Sequence, residues 1–142
     1  MDEPPLLALL SAAMVSMTDE LEARIHAAGF ADHRRSFHSL MPYVPAEGIR
    51  LVDLAERARV TKQAMSELVL DAERLGYLER RPDPRDGRAR IIVLADRGWA
   101  AVEVVLAAFT EMEAELVERM GARRFAELRK ALAVIPSERH GR

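Results

Sequence analysis

The first apolar pattern of the chain has the period of an α-helix. Its members follow one another at steps of three and four residues from Leu6 to Ile25, which places them on one face of a helix. We predict a helix over residues 5–28 that carries one long apolar stripe and ends at Gly29. A shorter pattern of the same kind predicts a second helix over residues 31–42.

The middle of the chain predicts two helices separated by a very short turn. Residues 51–58 have the composition of a short helix, and Thr61 follows almost at once. A threonine hydroxyl can accept a hydrogen bond from an unpaired backbone N–H, so Thr61 is the expected N-cap of the next helix. That helix is expected to end at Gly76. Its buried face is predicted to contain Met65, Leu68, Val69, Ala72 and Leu75.

After Gly76 the apolar period changes from about 3.6 to 2, as it does where strands follow a helix. Residues 77–80 and 90–94 have the pattern of two strands. Residues 82–88 between them contain two prolines and an Asp-Gly pair, which favour a loop. We therefore predict a β-hairpin whose tip is a stiff loop that holds arginines away from the body of the protein.

The last third of the chain, residues 97–135, is again helical in pattern and is interrupted at Gly121. Its apolar stripe is too long for so small a body to cover, which favours packing against a second chain; the alternative is that it folds back on the first helix alone. The predicted fold class is mainly α with a small β-hairpin. We expect a single domain, residues 1–142, in which a winged helix-turn-helix core, residues 48–96, is flanked by dimerisation helices, residues 5–28 and 97–135.

Composition agrees with a helical domain and excludes several functional classes. At 142 residues the chain has the size of one domain, and alanine, leucine, glutamate and arginine dominate it. It has no cysteine, which excludes disulfides, thiolate metal sites and thiol redox switches. The longest apolar stretch, residues 6–17, contains two serines and is shorter than the ~20 residues of a membrane span. We expect a cytoplasmic protein with no membrane partner.

The net charge of −2 hides an uneven distribution. Residues 57–90 contain nine basic and six acidic side chains, a local balance of +3, which leaves −5 for the rest of the chain. A chain of this kind can present a basic face to nucleic acid while its acidic remainder limits indiscriminate binding. Scattered charges that only solvate a surface would explain the same numbers equally well.

Two helices joined by a tight turn and followed by a basic hairpin form a winged helix-turn-helix. Polar side chains in the first turn of the second helix can reach base edges in the major groove. Guanidinium groups on the hairpin can reach the adjacent minor groove, where narrow A·T-rich segments concentrate negative potential. The predicted DNA-binding residues are Thr61, Lys62, Gln63, Ser66, Arg85, Asp86, Arg88 and Arg90.

Several short motifs of this core resemble those of the MarR family of bacterial transcriptional regulators. The most specific is the Asp-Gly-Arg of residues 86–88 together with the Gly-Tyr-Leu-Glu-Arg of residues 76–80. Further similar segments are Leu54-Ala55, Thr61-Lys62-Gln63-Ala64-Met65-Ser66, Asp83-Pro84-Arg85 and Leu94. The layout of predicted elements extends the resemblance to nearly the whole chain.

The resemblance implies a homodimer joined by the first and last helices, a pseudo-palindromic double-stranded DNA operator, and a small organic effector bound between the dimerisation and DNA-binding lobes. It makes Arg88 the minor-groove residue and Asp86 the residue that braces the wing arginines. It makes Lys62, Gln63 and Ser66 the major-groove contacts. The expected activity is repression, because a dimer that covers a promoter excludes the polymerase. The effector residues remain unassigned.

Other chemistry finds little support in the sequence. A phosphate-binding glycine loop, a nucleophile elbow and a metal-binding histidine pair on one helical turn are all missing, so we expect neither an enzyme nor a cofactor. A zinc site would need three converging ligands, and the spacing of His26, His33 and His38 suggests no compact set, so no metal is expected. Either His33 or His38 lines a pocket for an organic acid, or it lies at the surface. The alternative to DNA binding is a winged-helix module that binds an acidic protein surface.

Overall fold

The structure is a computed structural model that describes residues 3–135. Residues 1–2 and 136–142, which the single-domain prediction includes, lie outside the described residues. The first helix, α1, spans Leu6–Ala27 and confirms the predicted helix at residues 5–28. Contacts group the chain into two compact units, one up to Val105 and one from Leu106 onward.

The segment that follows α1 differs from its prediction. In place of one α-helix over residues 31–42 there are two short 3-10 helices, Arg35–Ser39 and Met41–Tyr43. Their backbone N–H groups bond to carbonyls three residues earlier, as from Leu40 to Phe37 at 3.1 Å. A proline at position 42 explains the difference, because its ring would clash with a carbonyl of the preceding helical turn and it has no N–H to donate.

The helix-turn-helix forms as predicted. Helix α2 spans Leu51–Ala58, the chain turns through Arg59 in a left-handed conformation, and α3 spans Lys62–Arg74. Thr61 is the N-cap of α3, since its hydroxyl oxygen accepts a hydrogen bond from the backbone N–H of Ala64 at 3.1 Å. The fully buried side chains of α3 are Met65, Val69 and Ala72, and Leu68 and Leu75 pack against the same core.

The hairpin consists of antiparallel strands β1, Leu78–Asp83, and β2, Asp86–Leu94. Both strands continue further toward the tip than predicted, so residues 82–88 are not a free loop and only Pro84 and Arg85 form the turn. Among the described residues, β1 pairs only with β2, so its outer edge can accept a proline. Ile49 extends the ribbon with an isolated bridge to Ile92.

The core of the first unit lies between the 3-10 helices, the helix-turn-helix and the base of the hairpin. Tyr77, immediately before β1, is fully buried there. Helix α4, Asp96–Met120, begins against this tyrosine, and a Cβ atom on Gly98 would lie 2.2 Å from the carbonyl oxygen of Tyr77. Only glycine permits so close an approach. The largest fully buried side chains are Tyr77, Phe37, Ile25, Leu40, Leu54, Met65, Ile92 and Val69.

The second unit contains the C-terminal half of α4 and helix α5, Ala122–Val134. The two helices are separated at Gly121, whose φ of 89° is easily adopted only by glycine. Arg129 of α5 donates a hydrogen bond to the Glu113 carboxylate of α4 at 2.7 Å. Among residues 3–135, no helix is long and apolar enough to cross a membrane.

Candidate nucleic-acid interface

The first turn of α3 presents the predicted major-groove residues to solvent. Lys62 and Gln63 are exposed, and Ser66, one turn further on, is half-buried. The Thr61 hydroxyl already binds the Ala64 N–H, so its role here is to fix the start of the helix. The cap thereby determines the direction in which the Lys62 and Gln63 side chains leave the protein.

The predicted wing residues lie near the tip of the hairpin. Arg85, Asp86, Arg88 and Arg90 are all exposed. Asp86 accepts a hydrogen bond from the backbone N–H of Arg88 at 3.1 Å. The support that Asp86 gives to Arg88 therefore acts on the backbone and leaves the guanidinium free to move.

A second aspartate, which is not among the predicted DNA-binding residues, anchors the wing at its base. Asp83 is 8% exposed and accepts hydrogen bonds from the Arg50 side chain at 2.8 and 2.9 Å. Its other oxygen accepts the backbone N–H of Arg85 at 2.9 Å. The Arg85 N–H and then the Arg50 guanidinium lower the pKa of the Asp83 carboxyl. Asp83 thus ties the turn of the hairpin to the residue that precedes α2.

Ion pairing separates the arginines of this region into two groups. Arg50, Arg80 and Arg81 each have a carboxylate partner, respectively on Asp83, Glu73 and Glu79. Within the described part of the chain, no acidic side chain forms an ion pair with Lys62, Arg85, Arg88 or Arg90. The four cations predicted to contact DNA are therefore available to phosphates without the loss of an internal ion pair.

A groove of about 810 Å³ separates the wing from the start of α2. Its charged lining alternates in sign, because three arginines face four carboxylates across it. A lining of mixed sign does not favour the binding of a small anion. The basic surface of this region is therefore formed by the exposed side chains of α3 and of the hairpin tip. The lining residues are Pro45, Glu47, Gly48, Ile49, Arg50, Asp53, Glu56, Arg57, Asp83, Pro84, Arg85 and Ile91.

A partly buried polar network supports the lobe behind these residues. Asp32 accepts a hydrogen bond from the Tyr77 hydroxyl at 2.5 Å and two from the Arg97 guanidinium at 2.9 Å. Arg97 also lies over the Tyr77 ring, 4.5 Å from its centroid. The hydrogen bond from Arg97, followed by that from Tyr77, lowers the pKa of Asp32 to about 2. Burial, with the Asp32 contact, raises the pKa of Tyr77.

A comparison with protein families matches this part of the chain. Residues 45–89 fit the model of the MarR family. The match contains α2, α3, β1 and the first residues of β2, as far as Ala89. This segment of the chain is therefore similar to the MarR family. Members of the MarR family are DNA-binding transcription regulators rather than enzymes, which agrees with the exposed basic surface described above.

Solved structures of MarR-family proteins share the fold over nearly the whole chain. E. coli MarR without ligand matches with a TM-score of 0.70 and 22% identity over 95% of this chain and 100% of the other. A mutant of S. aureus MepR bound to an oligodeoxyribonucleotide matches with a TM-score of 0.62 and 21% identity over 94% and 96%. S. aureus MepR bound to ethidium bromide gives 0.63 and 22% over 95% and 96%. No curated protein sequence matches the chain significantly.

Proposed function

We propose that the chain acts as a homodimeric, sequence-specific regulator that represses transcription and is released from DNA by a small organic effector. The observation that carries DNA binding is a set of exposed cations on α3 and the wing that have no ion-pair partner within residues 3–135: Lys62, Arg85, Arg88 and Arg90. The related MepR mutant bound to an oligodeoxyribonucleotide supports the same use of the fold.

In the proposed complex, the first turn of α3 enters the major groove. Gln63 can pair with the N6 and N7 edge of an adenine, whereas Lys62 supplies charge, and Ser66 can donate to or accept from either partner of a base pair. Arg88 reaches into the minor groove, and Arg85 and Arg90 contact phosphates on either side. These base and phosphate assignments follow from side-chain chemistry and from the exposure of the residues.

Homodimerisation is proposed from the apolar surface that the single chain leaves uncovered. On α1, Leu7 and Met14 are 78% and 68% exposed, although both belong to a helix rich in leucine and methionine. In the second unit, Phe109 and Leu132 are also exposed. A lone soluble chain rarely leaves so many large apolar residues in water. A second copy of the chain would cover them symmetrically.

Sedimentation at micromolar concentration tests the dimer. We expect a species of about twice the 15.9 kDa chain mass. Met14→Glu should produce monomers, because the exposed methionine contributes little to the folding of one chain and a charge there opposes burial against a partner. A wild-type protein that sediments only as a monomer would rule out the dimer, and with it the two-fold operator.

Repression and effector release rest on the family relationship. The ethidium-bound structure of S. aureus MepR indicates that this fold can hold an organic molecule in a relative. An effector would have to bind one dimer arrangement more tightly than another in order to change DNA affinity. No residue of this chain is assigned to that role. Like other regulators of the chromosome, the protein is proposed to work in the cytoplasm.

The deciding experiment is an electrophoretic mobility assay on the DNA upstream of the protein's own gene. Two recognition helices related by a two-fold axis should protect half-sites about 10 base pairs apart, one helical turn, on one face of the duplex. Insertion of ~5 base pairs at the centre should abolish specific binding. Equal affinity for the lengthened site would contradict a fixed pair of helices. No binding to any duplex would favour the module that binds an acidic protein surface.

A further inference from the structure

A cluster of one carboxylate and two imidazoles lies outside the DNA-binding surface. Glu22 projects from α1, whereas His33 and His38 come from the segment that follows it, His38 within the first 3-10 helix. One ligand-type atom from each of the three residues lies within 4.8 Å of the others. Their sequence spacing does not suggest a site, because the turn after α1 and the 3-10 geometry are needed to bring them together.

The contacts within the cluster are short and all involve the Glu22 carboxylate. His33 Nδ1 lies 3.2 Å from both carboxylate oxygens, and His38 Nε2 lies 2.5 Å from Oε1. His26 Nε2 is 3.3 Å from Oε2 but donates its hydrogen bond to the backbone carbonyl of His33 at 3.0 Å. His26 therefore positions the backbone of His33, while the other two imidazoles aim their nitrogens at the carboxylate.

Burial makes this arrangement unusual for a carboxylate. Glu22 is 7% exposed and His33 is 5% exposed. A buried carboxylate is costly unless a cation or several donors compensate it. Among the described residues, the basic side chains within ion-pair distance of Glu22 are all histidines. The Glu22 carboxylate therefore depends for compensation on its histidine neighbours, or on an ion that they bind together with it.

The donor set matches a divalent ion of borderline softness. Two imidazole nitrogens and one carboxylate oxygen bind zinc at 2.0–2.2 Å, and ligands on a tetrahedral ion are then about 3.4 Å apart. The separations of 2.5 and 3.2 Å around Glu22 can reach that value with side-chain adjustments of less than about 1 Å. The chain has no thiolate to recruit a softer ion.

The surroundings of His33 hold its ring in place. The ring packs edge-on against Phe37, at a centroid distance of 5.5 Å, and against Tyr77, at 5.7 Å. Tyr77 is itself fixed by its hydrogen bond to Asp32. Metal sites depend on such neighbouring contacts to hold their ligands in the binding orientation.

We propose that Glu22, His33 and His38 form a binding site for a divalent transition-metal ion, with zinc the best match and water in the fourth position. The ion would join α1 to the segment that leads into the DNA-binding lobe. The sequence does not predict this site, because the spacing of its histidines indicates no compact ligand set and Glu22 lies on a separate helix.

Titration of untagged protein, previously treated with a chelator, tests the proposal. Isothermal titration with zinc chloride should give one ion per protomer, and Co²⁺ should give the visible absorption of a tetrahedral site. His38→Ala and Glu22→Gln should each weaken binding at least tenfold, since second-shell changes alone cost about tenfold to a hundredfold. Glu20→Gln is the matched control, because Glu20 lies on the same helix, is exposed and pairs with Arg24.

Thermal unfolding supplies a second measurement. Zinc should raise the melting temperature of the wild type and of Glu20→Gln, and should leave that of His38→Ala unchanged. His38 is only half-buried, so this variant keeps the fold if Glu22→Gln does not. Stoichiometric binding that survives both site variants would place the metal elsewhere and overturn the proposal. A wild type that binds neither ion would show that the cluster is a hydrogen-bonded network only.

Discussion

The sharpest test of the wing is to remove the charge of Arg88 and measure how DNA affinity depends on salt. The change should not disturb the hairpin, because the hydrogen bond to Asp86 uses the backbone N–H of residue 88, which alanine retains. Arg88 is exposed and has no ion pair among the described residues, so no partner is left behind. Any loss of affinity therefore reports on the contact with DNA.

The magnitude follows from the symmetry of the proposed dimer. Arg88→Ala removes one phosphate-neutralising cation per protomer, so the slope of log affinity against log salt should become shallower by about 0.9 for each, or about 1.8 in total. Between 50 and 200 mM salt, a fourfold change, the ratio of wild-type to variant affinity should then fall about twelvefold. The loss should also appear on unrelated sequences that share a narrow minor groove.

Fluorescence anisotropy with a labelled operator, repeated across the salt series, provides the measurement. Arg88→Lys should keep the slope, because it keeps the charge. Arg35→Ala, which removes a charge of the same sign from an exposed position outside the wing and the predicted dimerisation helices, should change neither slope nor affinity. If Arg88→Ala leaves both unchanged as well, the hairpin is not a DNA-binding wing, and the protein-binding alternative gains support.

Three further changes test other parts of the account. Gln63→Ala should leave the salt slope unchanged but cost about 1–3 kcal/mol of discrimination at one base pair per half-site, measured on operators with single substitutions. Gly98→Ala should lower the unfolding free energy by about 1–3 kcal/mol or more in denaturant, because its Cβ would collide with the Tyr77 carbonyl; full stability would contradict that contact. Asp32, whose pKa is lowered to about 2 by Arg97 and Tyr77, stabilises the fold above pH 4 and loses this contribution as the pH falls toward 2. Asp32→Asn should make the midpoint of unfolding depend less on pH over that range. A variant whose midpoint varies with pH as the wild type's does would argue against the ion pair.

Local signals in the sequence are sufficient to predict the helix-turn-helix. The Thr61 cap and the apolar period of the following residues depend on neighbours within one or two turns, and the structure confirms both the N-cap and the buried face of α3. The change of period after Gly76 likewise predicts the hairpin. The predicted strands end too early at the tip, because proline generally disfavours a strand, whereas the outer edge of β1 accepts Pro82.

The features that the sequence did not predict depend on distant contacts. Arg50 and Asp83 are 33 positions apart, and no periodic pattern links them. Glu22 and His38 are 16 positions apart and meet only because the intervening segment forms 3-10 helices and not the predicted α-helix. Each of these partners is a common charged or polar residue whose role becomes visible once the backbone path is known.

The anchoring of the hairpin by Asp83 has a consequence for the thermodynamics of DNA binding. Because Arg50 and the Arg85 N–H hold the turn in place in the free protein, its backbone is ordered during folding and not on contact with DNA. The conformational entropy that the wing loses on association is then confined to the flexible ends of its exposed arginine side chains, on the order of 0.5–1.5 kcal/mol each. A variant that lacks the Asp83 carboxylate would keep every wing arginine, yet it would have to order the backbone of the turn each time it bound DNA.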